Sequence, residues 1–182
     1  MITFDYDDKW VKRMAGVQPL AHCNVIITEI DDGEFFAGDL FRRKFASPPP
    51  PVGHHVVAMF KDNNNAMRVA GYAHFRSFED VILVGGVCTD GRVMRQMPEE
   101  KSCLIAAAGG VYFNILRHAF DRFAKECDAY FGYCGDARAE VVNLDAGFRK
   151  AGHQHLLVNF HKQLDEATRE ALIAKVARMG PF

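Results

Sequence analysis

No apolar run in this 182-residue chain approaches the roughly 20 residues that a helix needs to cross a bilayer, so no membrane-spanning role is expected. Charge of one sign is also lacking. Lys and Arg number 22 against 23 Asp and Glu, for a formal net charge of −1, so no global field draws the chain to nucleic acid or an anionic membrane. The sequence reading therefore takes neither as a partner. Five cysteines (Cys23, Cys88, Cys103, Cys127 and Cys134) contain no Cys-x-x-Cys pair, and their odd number argues against a disulfide framework. The opening MITFDYDDKW carries acids where a signal peptide needs lysines followed by an apolar block. A reduced, cytoplasmic protein is the expectation. Internal repeats are absent, and the only low-complexity stretch is the proline run from Ser47 to Pro51, which reads as a stiff extended connector.

What is present is an ordinary globular composition, 49% hydrophobic and 25% charged, in a chain long enough to bury a proper core. A single domain over residues 1–182 is expected, with the better patterned part following the prolines. Before them, Cys23 to Ile30 reads as a strand and Asp39 to Phe45 as a short helix. After them, His55 to Phe60 reads as a strand and Asp62 to Asn65 as a turn. Met67 to Phe75 alternates, placing Met67, Val69, Gly71, Ala73 and Phe75 on one face and Arg68, Tyr72, His74 and Arg76 on the other. Val81 to Cys88 is a continuous apolar run suited to a buried strand. Pro98-Glu99-Glu100 opens a helix, and Phe113, Leu116, Phe120, Phe123 and Cys127 form a stripe at helical spacing, with Gly109-Gly110 as its interruption or its start. Ala129 to Cys134 reads as another buried strand, and Asp165 caps a terminal helix over about 165–180. Strands first, then helices interleaved with strands, give a mixed α/β sheet.

The most informative stretch is DARAEVVNLDAGF, Asp136 to Phe148, followed by RKAGHQHLLVNF. Asp136 has the chemistry of an N-cap, and Gly147 that of a left-handed helix stop from which Phe148 can fold back on Val142. This segment resembles the last helix–strand unit of the GNAT acyltransferases, in which an Asn-x-x-Ala-x-x-Leu-Tyr-x-x-x-Gly-Phe pattern precedes a strand. Ala139, Val142, Gly147 and Phe148 fit it, while Asp136 stands for the Asn and Asn143 for the Tyr. The VAGYAHFR strand resembles the family's middle strands. The resemblance covers about His55 to Lys162 and implies a GNAT-like α/β fold, a mixed and mainly antiparallel sheet flanked by helices. It also implies an acyl-coenzyme A-dependent N-acyltransferase using acetyl-coenzyme A or another acyl-coenzyme A, with a small-molecule amine or peptide as acceptor and room for a homodimer. A non-catalytic module of the same fold, whose cleft binds another ligand or a protein, is the alternative.

The family's diphosphate loop maps imperfectly. Aligning Val87, Thr89 and Arg92 with its Val, Pro and Arg puts Val93, Arg95 and Met97 where three glycines belong. A diphosphate needs clustered backbone N–H groups at a helix N-terminus. Three readings follow: Arg92, Arg95 and Lys101 hold it with side chains; Arg92 to Ser102 is an insertion and the loop sits at Ala106 to Gly110; or the coenzyme no longer binds. The arginines could equally coat a surface turn. Gly85-Gly86-Val87 marks either a bulge where a ligand approaches the backbone or the tight packing of a helix. By the resemblance, Gly86, Val87, Cys88 and Thr89 line the coenzyme's path, and an N–H near Val87 would receive the thioester oxygen.

Acyl transfer needs a base for the incoming ammonium and often an acid for the departing thiolate. Asn143, at the position of the family's acidic tyrosine, cannot supply a proton. Tyr133 and Cys134 could substitute, and His74 is the candidate base, although a tethered core tyrosine and a hydrogen-bonded structural histidine are the plainer readings. His153, His155 and His161 share one strand face by parity, opposite Leu156, Val158 and Phe160. At about 3.3 Å per residue, His155 and His161 would then stand roughly 20 Å apart, so no metal site is expected.

Overall fold

The computed structural model describes residues 20–182, and the acidic opening segment lies outside them. A 3-10 turn, Leu20–Cys23, leads into β1 (Val25–Ile30), α1 (Gly33–Phe45), β2 (His54–Lys61), β3 (Met67–Phe78) and β4 (Val81–Thr89). Two short helices follow, α2 (Gly91–Gln96) and α3 (Glu99–Ala107), and then the longer α4 (Gly110–Phe123). The rest comprises β5 (Ala129–Tyr133), α5 (Ala137–Asp145), β6 (Arg149–Lys150), β7 (Leu156–Phe160) and α6 (Glu166–Ala177). The strands form one sheet in the order β1-β2-β3-β4-β5-β7-β6. Every neighbouring pair is antiparallel except β4 and β5, which run parallel. This is the mixed, mainly antiparallel architecture expected from the sequence. Among the described residues no single helix is long and apolar enough to cross a membrane.

Helices cover both faces. On one, α4 sends Val111, Phe113, Ile115, Leu116 and Phe120 into a core with Val56, Ala73, Phe75 and Val84, and Ala146, the C-cap of α5, joins it beside Phe148. On the other, α1 lays Ala37, Leu40 and Phe41 over Val57, Tyr72 and Cys88, while α6 packs Leu172 and Val176 on Leu83, Phe131 and Val158. Residues on both sides of the proline run share the sheet, since β1 pairs with β2 throughout.

Helix α1 begins well before the expected Asp39. Its start is set by Asp32, whose Oδ1 accepts from the Phe35 N–H at 2.8 Å. Gly33 and Gly38 lower the helical signal of this segment. Gly33 is explained by packing, because a Cβ there would lie 2.5 Å from His55 Nδ1.

Two expectations about faces are corrected. Val69 and Gly71 do not share one: Val69 packs on the α1 side, while a Cβ on Gly71 would strike Val111 of α4. The register explains it, since Ala58 and Met59 pair with Gly71 and Val69, leaving Ala70 as an extra residue that shifts the alternation. The opposite face is covered as well, since α1 lies over Tyr72 and His74 is buried beside it. Nor does a strand carry His153, His155 and His161. β7 starts after the first two and ends before the third, and His155 sits in the left-handed region at φ 62°.

A candidate active-site cleft between two parting strands

Strands β4 and β5 pair only from Val81 with Ala129 to Val84 with Gly132. Beyond that rung they separate, and a cleft of about 660 Å³ opens between them. From Gly85 onward β4 keeps β3 on one side only, so the backbone polar groups of its other edge face the cleft rather than a strand. Gly85 and Gly86 together oppose His74, because Ala73 pairs with Val87 and Phe75 with Val84; this is a bulge. Tight packing also demands these glycines. A Cβ on Gly86 would come within 2.6 Å of the Phe41 ring, and one on Gly85 within 2.8 Å of His74 Nδ1.

The α4–α5 side of the cleft starts at Gly109 and Gly110, whose φ values of 93° and 86° require glycine. They break the chain between α3 and α4 and aim the first free N–H groups of a 14-residue helix at the cleft. One turn on, the Tyr112 hydroxyl donates to Asn143 Oδ1 at 2.9 Å. Asn143, buried in α5, donates in turn from Nδ2 to the Ala139 carbonyl at 2.8 Å. Burial pushes the Tyr112 phenol above its ordinary range, partly offset by the bond to Asn143, so it stays protonated at neutral pH. Cys134 also lines the cleft, its thiol pushed up by burial. Asp136 caps α5 through Oδ1, which accepts from the Arg138 and Ala139 N–H groups at 2.9 Å each.

The opposite side of the cleft belongs to the α1–α6 face of the sheet. There Lys44 and Phe45, at the end of α1, line the cleft together with Tyr133 and Phe182. Tyr133 is two residues beyond Phe131 on β5 and shares its face, away from Tyr130, whose hydroxyl bonds to α4 carbonyls. The cleft is thus lined from both faces of the sheet.

The cleft draws together several residues singled out by the sequence and leaves others aside. Gly86, Val87, Cys88, Thr89, Tyr133 and Asn143 line it. Burial beside α1 pushes the Cys88 thiol up to about 12. Arg92, Arg95 and Lys101 do not line the cleft; the two arginines are exposed on α2. His74 is buried behind Gly85, with Nε2 bonded to the Val52 carbonyl at 2.7 Å. A carbonyl only accepts, so Nε2 carries the hydrogen and the neutral ring leaves Nδ1 as the basic atom, the one against Gly85. Burial lowers the His74 pKa, opposed by its bond to Val52. The sequence reading missed Tyr112, Lys44, Phe45 and Arg138. The available signal was Gly109-Gly110, since the next residues begin a helix whose first turn must border whatever its N-terminus faces.

No family model matches the chain, and no curated protein matches it in sequence. Solved structures do. The ribosomal-protein-S18-alanine N-acetyltransferase from Escherichia coli superposes with a TM-score of 0.52 at 12% identity, over 78% of this chain and 97% of that one. The KacTA–DNA complex gives 0.45 at 14% identity, over 83% and 99%. AtaT complexed with acetyl-methionyl-tRNAfMet gives 0.40 at 14% identity, over 81% and 98%. The first of these shows the fold expected from the helix–strand unit. The exclusion of nucleic acid as a partner does not stand, because it rested on net charge alone; the other two structures are complexes with DNA and with a tRNA. Net charge is a sum over the whole chain and does not report how cations are distributed on the surface.

Proposed function

We propose that this chain, a divergent example of the GNAT fold, is an acyl-coenzyme A-dependent N-acyltransferase. One observation carries the reading: β4 and β5 part at Val84 and Gly132, and the resulting cleft also receives the glycine-led N-terminus of α4. The residues fit the co-substrate. The free edge of β4 from Gly85 to Thr89 can pair with an extended amide-bearing arm as a strand would. The N–H groups at Gly109 and Gly110 suit a diphosphate, with Arg138 as a nearby cation. An acyl-coenzyme A supplies an activated thioester.

The chain's own groups then divide the remaining work. An N–H on the bulged β4 edge near Val87 donates to the thioester oxygen as negative charge develops there. His74 Nδ1, against Gly85 behind the cleft wall and neutral because burial lowers its pKa, accepts through a water the proton that the amine must lose. Tyr112 gives a proton to the departing sulfur, its hydroxyl held by Asn143. In this role Tyr112, not Asn143, Tyr133 or Cys134, replaces the tyrosine that the family pattern carries on the last helix. The same logic favours the Gly109-Gly110 loop over Arg92 and Arg95 as the diphosphate site.

The test is a titration with acetyl-coenzyme A followed by calorimetry, paired with thiol release in the presence of an amine panel. Saturable binding with amine-dependent release supports the reading. Binding without release under any acceptor would leave a ligand-binding module, and no binding at all would sink it.

A further inference from the structure

We propose that the acceptor is an aromatic amine carrying an acidic group, with the free aromatic amino acids as its simplest form. This rests on the acyltransferase reading and adds the chemical class of the amine. The face of the sheet opposite Gly109, Gly110 and Tyr112 lines the same cleft with Phe45 on α1 and with Tyr133 and Phe182 beyond the parting strands. Phe45 is 41% exposed and Tyr133 36%, so both rings offer apolar surface to a ligand in the cleft. Both rings are held from behind, Phe45 by Phe41 at 4.5 Å, and Tyr133 by His155 at 5.9 Å and Phe182 at 6.3 Å. Between the walls lies Gly86, whose missing side chain keeps the backbone open beneath the Phe41 and Phe45 rings. Fixed aromatic walls on two sides suit a flat apolar body.

Charge selects among such bodies. Lys44 lines the same side and is in no ion pair among the described residues. The one side-chain carboxylate lining the cleft, that of Asp136, is already engaged by two backbone N–H groups and lies in the field of Lys44 and Arg138. A polycationic acceptor would therefore find no free side-chain carboxylate and a like charge at Lys44, whereas an acidic one would find there a cation in no ion pair among the described residues. In the transfer the neutral amine nitrogen forms a bond to the acyl carbon as the carbon–sulfur bond breaks. The bonding pair leaves on sulfur, one nitrogen proton passes to the base, and the thiolate takes a proton, giving an amide and free coenzyme A.

The experiment measures thiol release from acetyl-coenzyme A with L-phenylalanine, L-tryptophan, phenethylamine and spermidine. We expect both amino acids to exceed spermidine in kcat/KM, and phenethylamine, which lacks the carboxylate, to fall behind L-phenylalanine by about tenfold, the size of one charge-assisted contact. Lys44→Glu should reverse the order of L-phenylalanine and spermidine. Phe45→Ala should raise KM for L-phenylalanine while acetyl-coenzyme A affinity is unchanged, and Phe45→Leu, which keeps bulk, should recover part of the loss. Faster turnover of spermidine, or no turnover of either amino acid by protein that binds acetyl-coenzyme A, overturns the acceptor class alone. Failure to bind acetyl-coenzyme A overturns the acyltransferase reading and the acceptor class with it.

Discussion

The Tyr112 hydroxyl donates to Asn143 Oδ1 across 2.9 Å, joining the first turn of α4 to the interior face of α5 at the edge of the cleft. Asn143 alone can hydrogen-bond but not protonate. Paired with Tyr112 it fixes a phenol that burial keeps in its protonated form. The proton source of the proposed reaction has thus moved from one helix to its neighbour, with the amide left behind as its anchor.

From this pairing we expect Tyr112→Phe to lower turnover by about 10²-fold, the lower end for general acid catalysis, with acetyl-coenzyme A affinity intact. Asn143→Ala removes only the anchor and should cost less than about tenfold, as expected for one neutral hydrogen bond. Steady-state rates beside calorimetric affinities separate the two. Equal losses in both variants would mean that Asn143 orients a reactant directly.

The loop assignment is tested by two arginines. Arg92→Ala should leave acetyl-coenzyme A affinity unchanged, because Arg92 lies on the exposed side of α2, outside the cleft. Arg138→Ala should weaken it by about 1.5 kcal/mol, a single charge-assisted hydrogen bond. The opposite pattern in calorimetry would return the diphosphate to the Arg92 loop.

Backbone conformation gives a prediction about stability. Gly110 has φ 86° with open space around it, so Gly110→Ala introduces strain without a clash and should cost about 1–2 kcal/mol in urea unfolding. Gly135→Ala, equally open but without that backbone demand, should stay within about 0.5 kcal/mol. Equal costs would contradict the role given to the left-handed turn.

Much of this fold was legible because local chemistry and periodicity agreed. Asp136 caps α5 and Gly147 ends it at φ 102°, as the residue types demand, and Asp165 caps α6. What could not be read depended on register. The extra residue at Ala70 reversed the faces of Val69 and Gly71, and nothing in the alternation itself marks a bulge. The cleft was half legible. Gly85-Gly86 stood out on β4, but Tyr112 meets Asn143 across 31 positions, and only packing brings α4 and α5 together. Two glycines mask the start of α1, and although Lys44 and Phe45 fall inside the expected Asp39 to Phe45 helix, nothing in its pattern marks them as cleft residues.

Four histidines, His55, His74, His118 and His161, have pKa values lowered chiefly by burial. In the unfolded chain they return to about 6.5 and bind protons that the folded state refuses. Stability is therefore full above about pH 6.5 and falls as pH drops below it. Thermal melts from pH 8 to 5 should show a decline setting in near pH 6.5, and His74→Gln should make it shallower. For activity, the acidic limb of kcat/KM should lie below pH 6.5, because His74 remains a base there. A limb above pH 7 would remove His74 from that role.

Calorimetric titration with acetyl-coenzyme A, read together with the melting temperature, bears most directly on the cleft as a coenzyme site. We expect one saturable site per chain and, at about 100 times the dissociation constant, a stabilisation of roughly 2.7 kcal/mol. No heat and no shift at millimolar ligand, with the protein folded, would contradict the assignment of the β4–β5 cleft to an acyl-coenzyme A.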